Sequence, residues 1–223
     1  MPTILDFANM ANAVYESSPQ VDGWTASNFR ASRGVGLQAV TFTNGAHTVV
    51  AFKGTSELMD GVADLKLGIG MNTSYYSEAE QYIQRYANAP GVIVTGHSLG
   101  GAIAQTVGNR RQLPFVTFNA PGVAIMASQN ITSINPIMGA IRVGGGIVSM
   151  FRHPMQAGRD IASAFYDVVG VNYRLSGDMI SRVGLHYGPI TDIHASGDAL
   201  TQHKMATVLD ALARCNTGYV QYP

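Results

Sequence analysis

Apolar residues at Phe7, Met10, Ala11 and Val14 fall on one side of a 3.6-residue period, so the spacing predicts an opening helix over Asp6–Tyr15 with Asp6 as its cap. The pattern then changes. Two β-rich runs, Gly36–Thr43 and His47–Phe52, flank Asn44-Gly45, a dipeptide whose tolerance of positive φ marks a hairpin. A connection dotted with Gly and Asp leads to a helix predicted over Ser77–Ala87. A strand at Val92–Thr95, a helix at Ala102–Arg110 and a strand at Phe115–Phe118 follow, the last closed by Asn119-Ala120-Pro121-Gly122. Helix is expected over Met155–Tyr166, strand over Val168–Leu175, and a final helix over Gln202–Arg214 with Met205, Val208, Leu209 and Leu212 on one face. Strands alternating with helices in this order imply an α/β fold, a mostly parallel central sheet with helices on both faces.

Composition narrows the class. A chain of 223 residues is long enough for one domain with a full core, so residues 1–223 are read as a single unit. Fourteen basic residues balance fourteen acidic ones, so no long-range field favours nucleic acid, and charge-driven contacts must be local. Cys215 stands alone, which excludes an intrachain disulfide framework. The start, M-P-T-I-L-D-F-A-N-M, has no basic region followed by a long apolar run, and no membrane-length apolar stretch occurs elsewhere. The expected product is soluble and made in the cytoplasm without a cleavable leader, leaving export to a route that needs none.

The chemistry is concentrated at V-I-V-T-G-H-S-L-G, where a β-branched run breaks into G-x-S-x-G before a small-residue helix. A serine hydroxyl becomes a useful nucleophile when a tight strand-to-helix turn holds it where a base and oxyanion donors can meet it. Gly96 and Gly100 keep Cβ atoms out of that turn, and Gly101, Ala102 and Ala104 let the next helix approach the sheet. Ser98 is thus the candidate nucleophile, with the N–H of Leu99 as one oxyanion donor. His97, inside the turn, is expected to be held by packing.

Two segments, F-K-G-T-S-E-L-M-D-G-V-A-D-L at Phe52–Leu65 and G-H-S-L-G-G at Gly96–Gly101, resemble the class 3 lipases, an α/β-hydrolase group of fungal triacylglycerol lipases and bacterial phospholipases. The opening D-F-A-N-M-A-N-A-V-Y is also similar. The resemblance implies an α/β-hydrolase fold, an oxyanion contribution from Thr55, a lid at residues 56–63, and a Ser-Asp-His order of catalytic groups along the chain. Gly61 stands where that family often has Trp, which argues against a large lid activated at interfaces.

No Glu follows Ser98, so the acid is one of Asp160, Asp167, Asp178, Asp192, Asp198 and Asp210. Asp178 follows a predicted strand end through Gly177, and N-Y-R-L-S-G-D-M-I-S-R-V-G is similar to the family's aspartate segment. For the base, His153, His186, His194 and His203 lie downstream. His203, in H-K-M-A-T-V-L at the entry to the last helix, is preferred over His186, and its segment resembles the catalytic histidine segment of bacterial members. His194 is expected in a surface turn, Asp198 and Thr201 as helix caps.

From Gly139 to Arg159 the chain carries Arg142, Arg152 and Arg159, no acidic residue, and apolar Ile141, Val143, Ile147, Val148, Met150 and Phe151. This composition suits a lipid-facing insertion around residues 134–160 making peripheral contact with anionic headgroups, or equally a core segment with solvated arginines. The expectation is a lipase or phospholipase with a Ser98-His203-Asp178 relay, needing no cofactor, with no His or Cys cluster at metal-ligand spacing. By analogy, a bacterial member of this kind is a secreted antibacterial effector with a cognate inhibitor or immunity protein. A soluble carboxylesterase or thioesterase, and a non-catalytic binding module on the same fold, are the rival readings.

Overall fold

The computed structural model describes residues 1–30, 36–54, 73–123 and 169–222. Its first helix, α1 (Ile4–Ala13), starts two residues before the expected position. Thr3 is the cap: its side chain accepts from the Asp6 N–H, while the Asp6 carboxylate accepts from the Thr3 N–H at 2.7 Å. Asp6 is therefore the third-position partner of a capping box rather than the cap itself, and two otherwise orphaned N–H groups are satisfied together.

Seven strands form one sheet in strictly sequential order: β1 (Thr25–Arg30), β2 (Ala39–Thr43), β3 (Thr48–Phe52), β4 (Val92–His97), β5 (Phe115–Phe118), β6 (Gly170–Leu175) and β7 (Ile190–Ile193). The first three run antiparallel and β3 to β7 run parallel, so the sheet is mixed but mostly parallel. The hairpin stands where Asn44-Gly45 predicts it, with Gly45 at φ 85° and the Asn44 side-chain oxygen accepting from the N–H groups of Ala46 and His47. Neither β1 nor β7 was expected. Both lie at sheet edges, where short, partly polar strands lack the apolar alternation that marks a covered one.

Two helices, α2 (Thr73–Gln84) and α3 (Leu99–Arg111), cover one face, packing Tyr82, Ile83, Ile103 and Val107 against Val50, Phe52, Val94 and Phe115. The other face belongs to the two ends of the chain. There α1 and α5 (Met205–Ala213) bury Phe7, Met10, Val208 and Leu212 against Val49, Ile93, Val116 and Phe118. The Ile4 N–H donates to the Val220 carbonyl and the Tyr222 N–H to the Pro2 carbonyl, each at 3.0 Å, so the termini are stitched side by side. Among the described residues no helix is long and apolar enough to cross a membrane.

The expected helix over Gln202–Arg214 is instead two: α4 (Ala199–His203) and α5, parted by Lys204 in extended backbone. The cause is long-range. The carbonyls of Gln202 and His203, which a continuous helix would use internally, accept from Asn119 Nδ2 and His97 Nε2, each at 2.7 Å. The helix expected over Met155–Tyr166, the lid at residues 56–63 and the insertion around 134–160 lie outside the described residues.

Candidate active site

The parallel strands β4, β5 and β6 end on the same edge of the sheet, and the candidate residues sit just beyond those ends, where open α/β sheets place their ligands. Ser98 is the hinge between β4 and α3. Its backbone, at φ 55° and ψ −128°, occupies a region that non-glycine residues rarely adopt, at a cost on the order of 1–3 kcal/mol. The surrounding glycines permit it. A Cβ on Gly100 would collide with the Phe52 carbonyl and stand 2.9 Å from the Gly54 nitrogen, and one on Gly101 would stand 2.5 Å from Cβ of Ala120. The start of α3 is thereby pressed onto the end of β3 and the beginning of the β5 exit. Leu99 is the first residue of α3, so its N–H belongs to the turn that has no carbonyl partner within the helix. Thr55 follows Gly54 directly in sequence and lies outside the described residues.

Asp178 follows β6 through a tight turn in which its N–H donates to the Leu175 carbonyl at 3.0 Å. Its carboxylate is fully buried and accepts from the N–H groups of Ile180 and Ser181, each at 3.1 Å. Burial alone would raise this carboxyl. The hydrogen bond and charge of His203, with the donors at Ser181 and Ile180, outweigh burial and hold it below its ordinary range, so it is ionised at neutral pH.

His203 ends α4 at 5% exposure, and its Nδ1 lies 3.0 Å from Oδ1 of Asp178. A carboxylate accepts only, so the Nδ1 of His203 donates to it and Nε2 is directed away from Asp178. That Nε2 is buried without a hydrogen-bond partner, and so is Oγ of Ser98. Among the described residues the Nδ1 atoms of His47 and His186 are unpaired in the same way, each such buried polar atom costing roughly 1–3 kcal/mol. The His203 ring also sits 4.8 Å, centroid to centroid, from that of His97, the residue preceding Ser98.

Other expected candidates are placed differently. His186 donates from Nε2 to the Ser181 carbonyl, 2.8 Å away, which makes it a brace of the Asp178 turn. His194 is exposed beside the Ser176 hydroxyl. Asp192 pairs with Arg174 at 2.6 Å, Asp210 with Arg214 at 2.6 Å, and Asp198 caps α4 by accepting from the Thr201 N–H. Asp160, Asp167 and His153 lie outside the described residues. Among the described residues no group of His, Cys, Asp and Glu could hold a metal ion.

Three residues that sequence reasoning missed hold these parts together. Asn119, at φ 45°, accepts from the Leu175 N–H at 2.8 Å and donates to the Gln202 and His203 carbonyls, tying the end of β6 to the segment bearing the imidazole. Gln202 accepts from the Gly177 N–H at 2.7 Å, beside Asp178. Tyr15, just past α1, reaches both the Gly54 N–H and His97. Asn119 had a faint signal, since asparagine is enriched at positive φ and stood in an obvious turn. Tyr15 and Gln202 had none.

Comparison with known proteins bears on the fold and the family. An extracellular phospholipase A1 of Serratia liquefaciens is 33% identical over 93 residues, 41% of this chain and 29% of that relative. Two solved structures superpose with TM-scores of 0.53: a mutant form of MDLA from Penicillium cyclopium, at 13% identity over 90% of this chain and 83% of the other, and a fungal lipase, at 12% identity over 93% and 92%. At such identities the likeness establishes the fold, that of the α/β-hydrolase lipases. The family model of the Tle-like phospholipase domain matches residues 6–221, and the chain belongs to that family.

Proposed function

We propose that the protein is a serine hydrolase that cleaves carboxylic ester bonds of lipids, phospholipids foremost. The observation behind the reading is the buried Asp178–His203 pair, whose imidazole lies 4.8 Å from that of His97, the residue before Ser98, and whose Nε2, like the Ser98 Oγ at its strained strand-to-helix turn, is buried without a hydrogen-bond partner. In this reading His203 Nε2 takes the proton as Ser98 Oγ attacks the ester carbonyl, and Asp178 stabilises the imidazolium. The Leu99 N–H and Thr55 receive the developing oxyanion, each such donor contributing about 10²–10³ in rate. The imidazolium then protonates the departing alcohol, and water activated by the same ring releases the fatty acid.

The segment around residues 134–160 is assigned peripheral contact with an anionic lipid surface, on its arginines and apolar residues alone. By the analogy drawn from its family, the protein acts outside its producer as an antibacterial effector, with an inhibitor protein guarding the producer.

The test is a product profile from mixed phospholipids, glycerides and short-chain nitrophenyl esters, joined to fluorophosphonate labelling with the modified residue located by mass spectrometry. Fatty acid release with label on Ser98 is expected. Absence of both, or label on another residue, overturns the reading.

A further inference from the structure

Resting on that hydrolase reading, we infer that Tyr15 and His97 are positioning residues: a hydrogen-bonded chain from the Gly54 N–H through both side chains to the His203 carbonyl sets the base and the β3 exit at Gly54 as one unit.

The two end groups and a neutral His97 ring together place the protons of the chain. The His203 carbonyl accepts only, so His97 Nε2, 2.7 Å away, carries a hydrogen. The Gly54 N–H donates only, so the Tyr15 hydroxyl oxygen, at 3.0 Å, accepts it and directs its own proton elsewhere. The remaining partner is His97 Nδ1 at 3.4 Å, which as the unprotonated nitrogen of a neutral ring accepts. A second proton on His97 would face the Tyr15 hydroxyl with a donor where it needs an acceptor.

The neutrality has a purpose. The two imidazoles stand 4.8 Å apart, and His203 must become positive when it takes the Ser98 proton, so a charge on His97 would oppose that step. The groups facing His97 agree: Tyr15 from the segment after α1 and His203 from α4 contact it directly, Asp178 acts through charge, and Lys53 lies over the Tyr15 ring at 5.5 Å. Asp178 bonds His203 and not His97, which decides which ring becomes the cation. Burial, followed by the nearby His203, pushes His97 down to about 3.

The chain's two ends matter more than its middle. Gly54 precedes Thr55, and a Cβ on Gly54 would sit 2.7 Å from the Tyr15 hydroxyl and 2.8 Å from the His97 carbonyl, so the strand exit is seated directly against this pair. The other end fixes the backbone from which the base projects. Neither Tyr15 nor His97 needs to touch the ester.

The experiment uses the full-length protein. Tyr15→Phe keeps the ring and removes only the hydroxyl; its single-turnover acylation rate with a short nitrophenyl ester should fall between about 10- and 100-fold through misplacement of the reacting groups. KM should stay within twofold, and the melting temperature should fall by only several degrees as the Gly54 N–H loses its acceptor, leaving the protein folded at the assay temperature. His97→Gln, which retains a donor toward the His203 carbonyl but loses the Tyr15 end, should behave alike, and the double variant should cost no more than the worse single one. In protein labelled with ¹⁵N-histidine, His97 should be a neutral Nε2–H ring at pH 7, and Tyr15→Phe should move its Nδ1 resonance downfield toward an unbonded nitrogen. Wild-type acylation in Tyr15→Phe, multiplying costs in the double variant, or an Nδ1 proton on His97 would each overturn the inference. Should wild-type protein fail to be acylated at Ser98, the hydrolase reading falls, while the nitrogen spectra still decide whether the chain of bonds exists.

Discussion

Asp178 and His203, 25 positions apart in sequence, meet at 3.0 Å, carboxylate to Nδ1, with neither side chain open to solvent. Asp178 is also held by N–H groups of its own turn, so its carboxylate has anchors that do not depend on the imidazole.

Substituting Asp178 with Asn or His203 with Ala should lower kcat by about 10³ or more, and neither should add much to the loss caused by Ser98→Ala, since groups acting as a unit are not additive. His186→Ala should leave kcat within a few fold, because its Nε2 engages the Ser181 carbonyl. Steady-state kinetics on a soluble ester decides. A severe His186→Ala with a mild His203→Ala moves the base.

Stability should fall on the acid side of neutrality. His97 is lowered from 6.5 to about 3, first by burial and then by His203, so the unfolded chain binds a proton in this interval that the folded one does not. The contribution is complete above pH 6.5 and is lost toward pH 3 at about 1.4 kcal/mol per unit. Asp178, also lowered, acts in the same direction at the acid end. Urea unfolding between pH 7 and 4 should show this slope in the wild type and a flatter one in His97→Gln; equal slopes would refute the assignment.

Gly100→Ala should be among the costliest single-methyl additions available. The added carbon has no room between the Phe52 carbonyl and the Gly54 nitrogen, and relief requires separating α3 from the end of β3. A loss of about 1–3 kcal/mol in stability is expected, with acylation falling more than stability. Ala at Gly45, where nothing lies within 4 Å, provides the contrast: only its φ of 85° is disfavoured.

Replacing Arg142 and Arg152 with Gln should weaken binding to anionic vesicles by about 1 kcal/mol per charge while leaving hydrolysis of a soluble ester nearly unchanged. Cosedimentation at low ionic strength measures it. Unaltered binding removes the lipid-facing role; parallel loss of both activities points to misfolding.

What the sequence made legible was local. The hairpin could be read from Asn44-Gly45, and the elbow from glycines flanking Ser98, because both depend on backbone conformations that particular residues favour. Helix α3 was expected to begin at Ala102 and begins at Leu99, since packing against β3 overrides the poor helix propensity of Gly100 and Gly101. The break at Lys204 was invisible: the groups that take the Gln202 and His203 carbonyls are more than eighty positions away, in residues whose sequence neighbourhoods announce a turn and an elbow. Asp178 and His203 could be preferred from strand-end position and resemblance, but Tyr15 stands behind a helix with no pattern to distinguish it from a surface aromatic.

The sequential strand order sets a timetable for synthesis. As the chain leaves the ribosome, each strand finds its neighbour already made, and the turn presenting Ser98 is complete in outline while more than half the chain is still to come. The imidazole is delivered last, on the short helix that precedes the docking of α5 against α1. A nascent chain stalled between Asp178 and His203 holds the candidate serine and carboxylate but not the candidate base, so in the proposed reading the site stays incomplete until the last tenth of the chain is made.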